Sequence, residues 1–281
     1  MTSLGDSDSL PGTIREINDL PHERKCAHYA ALIPPWVYSR LGIDPLASTG
    51  GEHPAVRFRC PSGSSSVEIS VFSATDASEP AIYLHMGDTP HAQLIVMMVV
   101  ANDPDSPRFN IDVDDQGRDT QLGTRSRNIP EELRAMRAGL APGQVRTGLR
   151  LFRAALPAFE SFVSRMGHDL FFIEPLFYHN AITFERYGFA YTRGLQQMRC
   201  IHREFQPGGT LHARLDGSTP FRPPNAWRSV AGRSWAIHDG ILDEALRDLL
   251  MHKRVGLHAG IETFPGAVWS SAELPHAHGW A

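Results

Sequence analysis

A chain of 281 residues with 42% hydrophobic side chains has enough apolar matter for a full core, which excludes general disorder. A formal net charge of −4 argues against a nucleic-acid binder, and no apolar run is long enough to span a bilayer. The three cysteines, Cys26, Cys60 and Cys200, lie far apart, which fits a reducing cytoplasm better than a disulfide framework or a thiolate zinc site.

The N-terminal stretch MTSLGDSDSLPGTI is polar and shows no secretory signal, so a cytoplasmic protein is expected, with residues 1–20 as a loosely docked, flexible arm. HERKCAHYAALIPPWVYSRLGI reads as two helical pieces broken at Pro34-Pro35. Ala55–Cys60 and Val67–Phe72 alternate around the turn PSGSSS, a hairpin pattern. Ala81–Asp88 and His91–Asp103 read as a second strand pair. The run Leu94–Val100 is apolar on both faces and so belongs in the centre of a sheet. Asn102–Asn128, rich in Asp, Pro and Gly, is a long excursion of the kind that carries function.

Pro130 opens and Gly139 closes a short helix. In GQVRTGLRLFRAALPAFESFVSRMG, Val145, Leu149, Phe152, Leu156, Phe159, Val163 and Met166 recur at spacings of 4 and 3. This stripe predicts a helix from about Gln144 to Gly167, kinked or split at Pro157. HDLFFIEPLF follows as a buried strand, HNAITFERY as a helix, and GFAYTRG with LQQMRCIHREF as a closing hairpin. Beyond Phe205–Gly209 the texture turns irregular and Pro-rich. GILDEALRDLLMHKRVG is amphipathic and predicts a helix. The division is an arm 1–20, a domain 21–205 and a C-terminal extension 206–281 packed on it.

Three groups of residues carry candidate chemistry. Arg146, Arg150 and Arg153, with Gly143 and Gly148, sit where a nucleotide-like cofactor's phosphates meet a helix N-terminus; the simpler reading makes the arginines a solvated face. Glu174, His179 and Asn180 sit at and just after the end of an apolar strand. A carboxylate partly desolvated there has a raised pKa and serves as a general base, and His179 beside it holds its proton to higher pH. The structural alternative is local pairing. His238 and Asp239, in GRSWAIHDG, are placed just before a helix, with Asp239 as its N-cap. If the extension folds over the strand end, Glu174, His179 and His238 form one catalytic cluster, or the facial triad of a divalent transition metal. Against this stands a satisfied structural His238. His85 and His91 flank a tight turn and are weaker candidates. Most of the fourteen histidines have ordinary structural roles.

The element order, with Phe184-Glu185-Arg186-Tyr187-Gly188-Phe189 opening the last strand pair, resembles the GNAT N-acetyltransferase superfold. The specific likeness covers about residues 142–194. It implies an α/β fold, a mixed, mainly antiparallel sheet flanked by helices. It also implies acyl transfer from acyl-CoA to a small amine or hydroxyl, with Glu174 as base and Gly143–Gly148 holding the pyrophosphate. The family's phosphate loop is Gln/Arg-x-x-Gly-x-Gly/Ala, whereas Gly143–Arg150 has its glycines at another spacing. Phe184 stands where the family's acid is usually Tyr. Glu185 and Arg186 read as an exposed helix face. The partner expected is a small-molecule substrate, with no nucleic acid and no membrane. Two other readings stay open: a metal enzyme using Glu174, His179 and His238, and a non-catalytic small-molecule binding protein. Nothing in the residue pattern selects an oligomeric state.

Overall fold

The computed structural model describes residues 9–45, 54–74 and 76–269. In chain order its elements are α1 (Ile14–Asn18), α2 (His22–Ala30), α3 (Pro35–Leu41), β1 (Val56–Arg59), β2 (Ser66–Val71), β3 (Ile82–Asp88) and β4 (Leu94–Ala101). Then come α4 (Ile129–Arg137), α5 (Phe152–Arg165), β5 (Leu170–Ile173), α6 (Tyr178–Arg186), β6 (Ala190–Arg193), α7 (Leu195–Glu204), α8 (Thr210–Ala213), α9 (Val230–His238) and β7 (Leu250–Arg254). The fold is mixed α/β with a mostly antiparallel sheet, as expected. Two compact units alternate along the chain. The described residues up to Asp105, with Gly148–Glu174 and His252–His258, form the first; Ser106–Thr147, Pro175–Met251 and the described residues from Ala259 form the second.

In the first unit β1 to β4 form an antiparallel meander. Val67, Ile69 and Val71 face inward at alternate positions of β2, the period-2 burial that the hairpin pattern predicts. β5 then pairs parallel to β4, which makes β4 an interior strand. The described part of the arm is docked rather than loose. Thr13 and Glu16 cap α1 reciprocally. The Asp88 carboxylate accepts the Ile14 and Arg15 N–H groups at 2.7 and 3.0 Å. Ile14 and Ile17 are fully buried. Asn18 donates to the Ser64 and Ser66 carbonyls, and the Tyr29 hydroxyl donates to the Asn18 side chain at 2.7 Å.

The long helix differs from its predicted bounds. α5 starts at Phe152, because Gly148 and Leu149 first pair with the end of β4: Asn102 bridges Gly148, and the Leu149 N–H donates to the Ala101 carbonyl at 2.9 Å. The helix runs through Pro157 without splitting. Its buried side is Phe162, Val163 and Met166, whereas Leu149, Phe152 and Phe159 are half-buried. Phe162 lies against Tyr29 and Phe159, and Phe159 against Phe171.

In the second unit the excursion after β4 is ordered, and it supplies core. Phe109 and Ile111 pack with Ala135, Leu140, Phe221 and Trp235. The Trp235 indole donates to the Leu140 carbonyl at 2.8 Å. Two elements differ in kind from expectation. LQQMRCIHREF is helix α7, not a strand, with Met198, Ile201 and Phe205 buried at helical spacing. GILDEALRDLLMHKRVG forms no helix; it is irregular up to Leu249 and then becomes β7.

Phe162→Ala removes a buried aromatic and is expected to cost about 3–5 kcal/mol, against less than about 2 for half-buried Phe152→Ala. Urea unfolding of both variants checks the order; equal midpoints would refute the orientation of α5.

Candidate functional site

The first candidate site is a fork in the first unit. β4 carries a bulge at Met97: Met86 pairs with Val96 and His85 with Met98, leaving Met97 unmatched. The parallel ladder to β5 has two rungs, Ile95↔Phe172 and Val96↔Ile173. Past them the strands part. Further along, Ala101 and Asn102 take up the Gly148–Leu149 segment. Among the described residues, no strand pairs with the β5-facing edge of Met97–Val100. The Asn102 N–H bonds toward β3 and the Ala101 carbonyl away from it, so alternation turns the Val99 peptide groups toward the fork. Val99 is 40% exposed. Glu174 stands one residue beyond the last rung and is exposed, not desolvated as expected.

The predicted phosphate-binding residues do not share a helix start. Gly148 pairs with β4; Arg150, exposed, has a positive φ of 53° and precedes α5; Arg153 lies in its first turn. In the second unit, the Arg146 guanidinium donates to the Ser106 carbonyl. Gly143 has φ 80°, and a Cβ on it would stand 2.5 Å from the Phe177 ring, so this glycine serves packing.

The second unit holds His179 and His238. His179 is 3% exposed, its Nδ1 lies 2.9 Å from the Ser234 hydroxyl, and its ring stacks on Phe177. Trp269 meets the same ring edge-on at 5.9 Å. Burial, with nearby His238 adding to it, pushes the His179 pKa down to about 3, opposite to the expected rise. A neutral imidazole of so little basicity, facing a buried hydroxyl, is a poor proton acceptor for catalysis; the Ser234–His179 pair is structural. Asn180 is structural too, its side-chain oxygen accepting the Phe177 N–H at 3.1 Å.

His238 is the last residue of α9, and Asp239 is its C-cap rather than the N-cap of a following helix. His238 Nε2 lies 3.2 Å from Glu132. Glu132 also takes Arg127 at 2.5 Å, Arg127 reaches Asp239 at 3.0 Å, and Asp239 takes Arg222 at 2.8 Å and the Thr219 hydroxyl at 2.7 Å. Burial alone raises the Glu132 pKa, but the His238 and Arg127 hydrogen bonds outweigh it and hold the carboxyl below its usual range. Glu185 is buried rather than on an exposed face. Tyr191 and Thr263 donate to it, yet burial keeps its pKa above the usual range.

Sequence reasoning missed Arg127, Glu132, Ser234 and Arg233. One signal was available: Ser234 and His238 are one helical turn apart, hence on one face. Among the described residues, no group of three or more His, Cys, Asp or Glu side chains is arranged to hold a metal ion. No helix of the described residues is long and apolar enough to cross a membrane. Comparison with family models, curated proteins and solved structures finds no match.

The His179 pKa sets a pH dependence. Between about pH 6.5 and about 3 the unfolded chain binds a proton that the folded His179 refuses, so acidification through this window lowers stability by up to about 1.4 kcal/mol per pH unit. Above pH 6.5 this contribution is flat. His179→Gln should flatten the stability–pH curve across the window; denaturant titrations showing parallel curves for variant and wild type would disprove the assignment.

Proposed function

We propose that the protein is an acyltransferase of GNAT-like build, with an acyl-CoA thioester as donor and a small amine or hydroxyl as acceptor. The observation that carries this reading is the fork between β4 and β5. From Met97 to Val100, about 13 Å of extended strand, the β5-facing edge has no strand partner among the described residues and presents the Val99 peptide groups where an amide-bearing chain can add as a further strand. The pantetheine arm of coenzyme A is such a chain. The parallel pairing of two strands that part beyond a bulge also agrees with the resemblance in Phe184–Phe189.

The Val99 N–H and carbonyl would hold an amide of the pantetheine arm. Arg150 and Arg153, exposed at the start of α5, would meet its phosphates, in place of Gly143 and Arg146. Attack of the acceptor on the thioester carbon would form the new amide or ester bond and break the C–S bond, the coenzyme A sulfur leaving and taking up a proton from water as the thiol. Exposed Glu174, one residue past the last rung, would accept the proton that the acceptor amine or hydroxyl loses, directly or through water. His179 and His238 take no part, being held by Ser234 and Glu132.

Calorimetry with acetyl-CoA tests this reading. Val99→Pro removes the fork-facing N–H while the ladder to β3 runs through Met98 and Val100, and Arg153→Glu sets a negative charge beside the phosphates. Each is expected to weaken binding at least about tenfold. Absence of acyl-CoA binding to the wild type, or unchanged affinity in both variants, would remove the donor from this fork.

A further inference from the structure

Arg233, on α9, is a fully buried cation with no carboxylate partner among the described residues. Its Nε donates to the Trp227 carbonyl at 2.6 Å, and its Nη1 to the Tyr178 hydroxyl at 3.4 Å and His202 Nδ1 at 3.2 Å. Neither side chain is an anion: burial raises the Tyr178 phenol to about 12, and burial with the Arg233 charge pushes the His202 pKa down. Nη2 has no hydrogen-bond partner among the described residues. A guanidinium so placed bears the full cost of leaving water without an opposite charge to offset it. By contrast, the contacts of Arg127 with Glu132 and Asp239, and of Arg222 with Asp239, in the same unit are direct ion pairs.

Beside Arg233 lies a cleft of about 490 Å³, lined by His202, Gln206, Trp227, Arg228, Arg233 and Phe264. That is the size of small-molecule sites. The Phe264 ring lies on the guanidinium at 3.5 Å. Trp227 forms a second aromatic wall, with Arg228 over its ring at 5.2 Å.

We propose that this cleft binds a small monocarboxylate with a flat, apolar body, the carboxylate seated on Arg233 and the body against Trp227 and Phe264. One buried guanidinium neutralises one negative charge, and its planar fork matches a carboxylate. Burial and the Arg233 charge disfavour a proton on His202, and Arg228 is exposed, so the buried charge at the inner end of the cleft is that of Arg233, which suits a monoanion rather than a phosphate dianion. Nη2 is sealed from solvent, so entry requires the Phe264 side chain to shift off the guanidinium. The site lies within the second unit and stands independently of the acyl-CoA reading.

Calorimetry on the full chain tests it, with benzoate as probe, benzamide as its neutral isostere and inorganic phosphate as the competing anion. Benzoate is expected to bind at least about tenfold more tightly than either. Arg233→Met should abolish benzoate binding while keeping or raising the thermal midpoint in ligand-free buffer, since it removes an unpaired buried charge. Should that variant fail to fold, Gln206→Glu decides, because a second negative charge in the cleft should weaken benzoate at least about tenfold. Benzamide binding as tightly as benzoate, phosphate binding more tightly, or benzoate affinity unchanged in a folded Arg233→Met or in Gln206→Glu would overturn the proposal.

Discussion

Two backbone rungs, Ile95↔Phe172 and Val96↔Ile173, tie the parallel strand to the meander, and the first unit is arranged around them. β5 is only four residues long, so it depends on packing as well as pairing. Phe171 is buried against Phe159 of α5, 4.8 Å between ring centres, which fixes the helix that precedes the strand. The ladder ends for two local reasons. The extra residue at Met97 turns β4 away from the plane of the rungs. Pro175, directly after Glu174, has no N–H with which to continue pairing. The fork is the geometric result, and its open edge lies inside the sheet, between two neighbouring strands, rather than at an outer strand.

The second unit solves a different problem, that of burying charge. Arg127, Glu132, Asp239 and Arg222 alternate in sign through a continuous chain of contacts, with His238 closing one end. Each member offsets the desolvation of its neighbours, so removing one leaves an uncompensated buried charge, which costs about 3–5 kcal/mol. Arg127 joins the excursion after β4 to the end of α9, which helps explain why a stretch so rich in Asp, Pro and Gly is ordered. Arg233 shows the opposite arrangement: its neighbours are a carbonyl, a phenol, an imidazole and aromatic rings. Aromatic faces attract a cation but do not neutralise it.

Much of the fold was legible where one period dominated. The alternation of Val67, Ile69 and Val71, the breaks at Pro34-Pro35 and the apolar run of β4 all read correctly because local pattern and burial agree. The reading failed where two patterns compete. Met198, Ile201 and Phe205 are helical in spacing, but following an alternating strand they were read as its partner. Leu242, Leu246 and Leu250 have helical spacing with no helix, since β7 claims the end of that segment. The start of α5 was misplaced because Val145 and Leu149 extend the stripe, whereas backbone pairing to Ala101 holds Leu149 in extended form. The interleaving of the two units rests on long-range contacts that no local pattern encodes.

The same limit governs the candidate site. Glu174, His179 and Asn180 fall within seven residues, and proximity in sequence suggested a shared role. Their environments differ completely. Asn180 spends its side-chain oxygen on the Phe177 N–H at the start of α6. His179 points into a wall of Phe177, Trp269 and Ser234, where a proton is strongly disfavoured. Glu174 is the exposed one of the three, Asn180 being half-buried. Proton exchange with an acceptor needs both solvent access and a group that stays charged until the acceptor arrives, and of the three only the carboxylate at the fork meets the first condition. The ladder stops at Ile173 and Pro175 offers no N–H to extend it, so that carboxylate stands out of the sheet, at its rim.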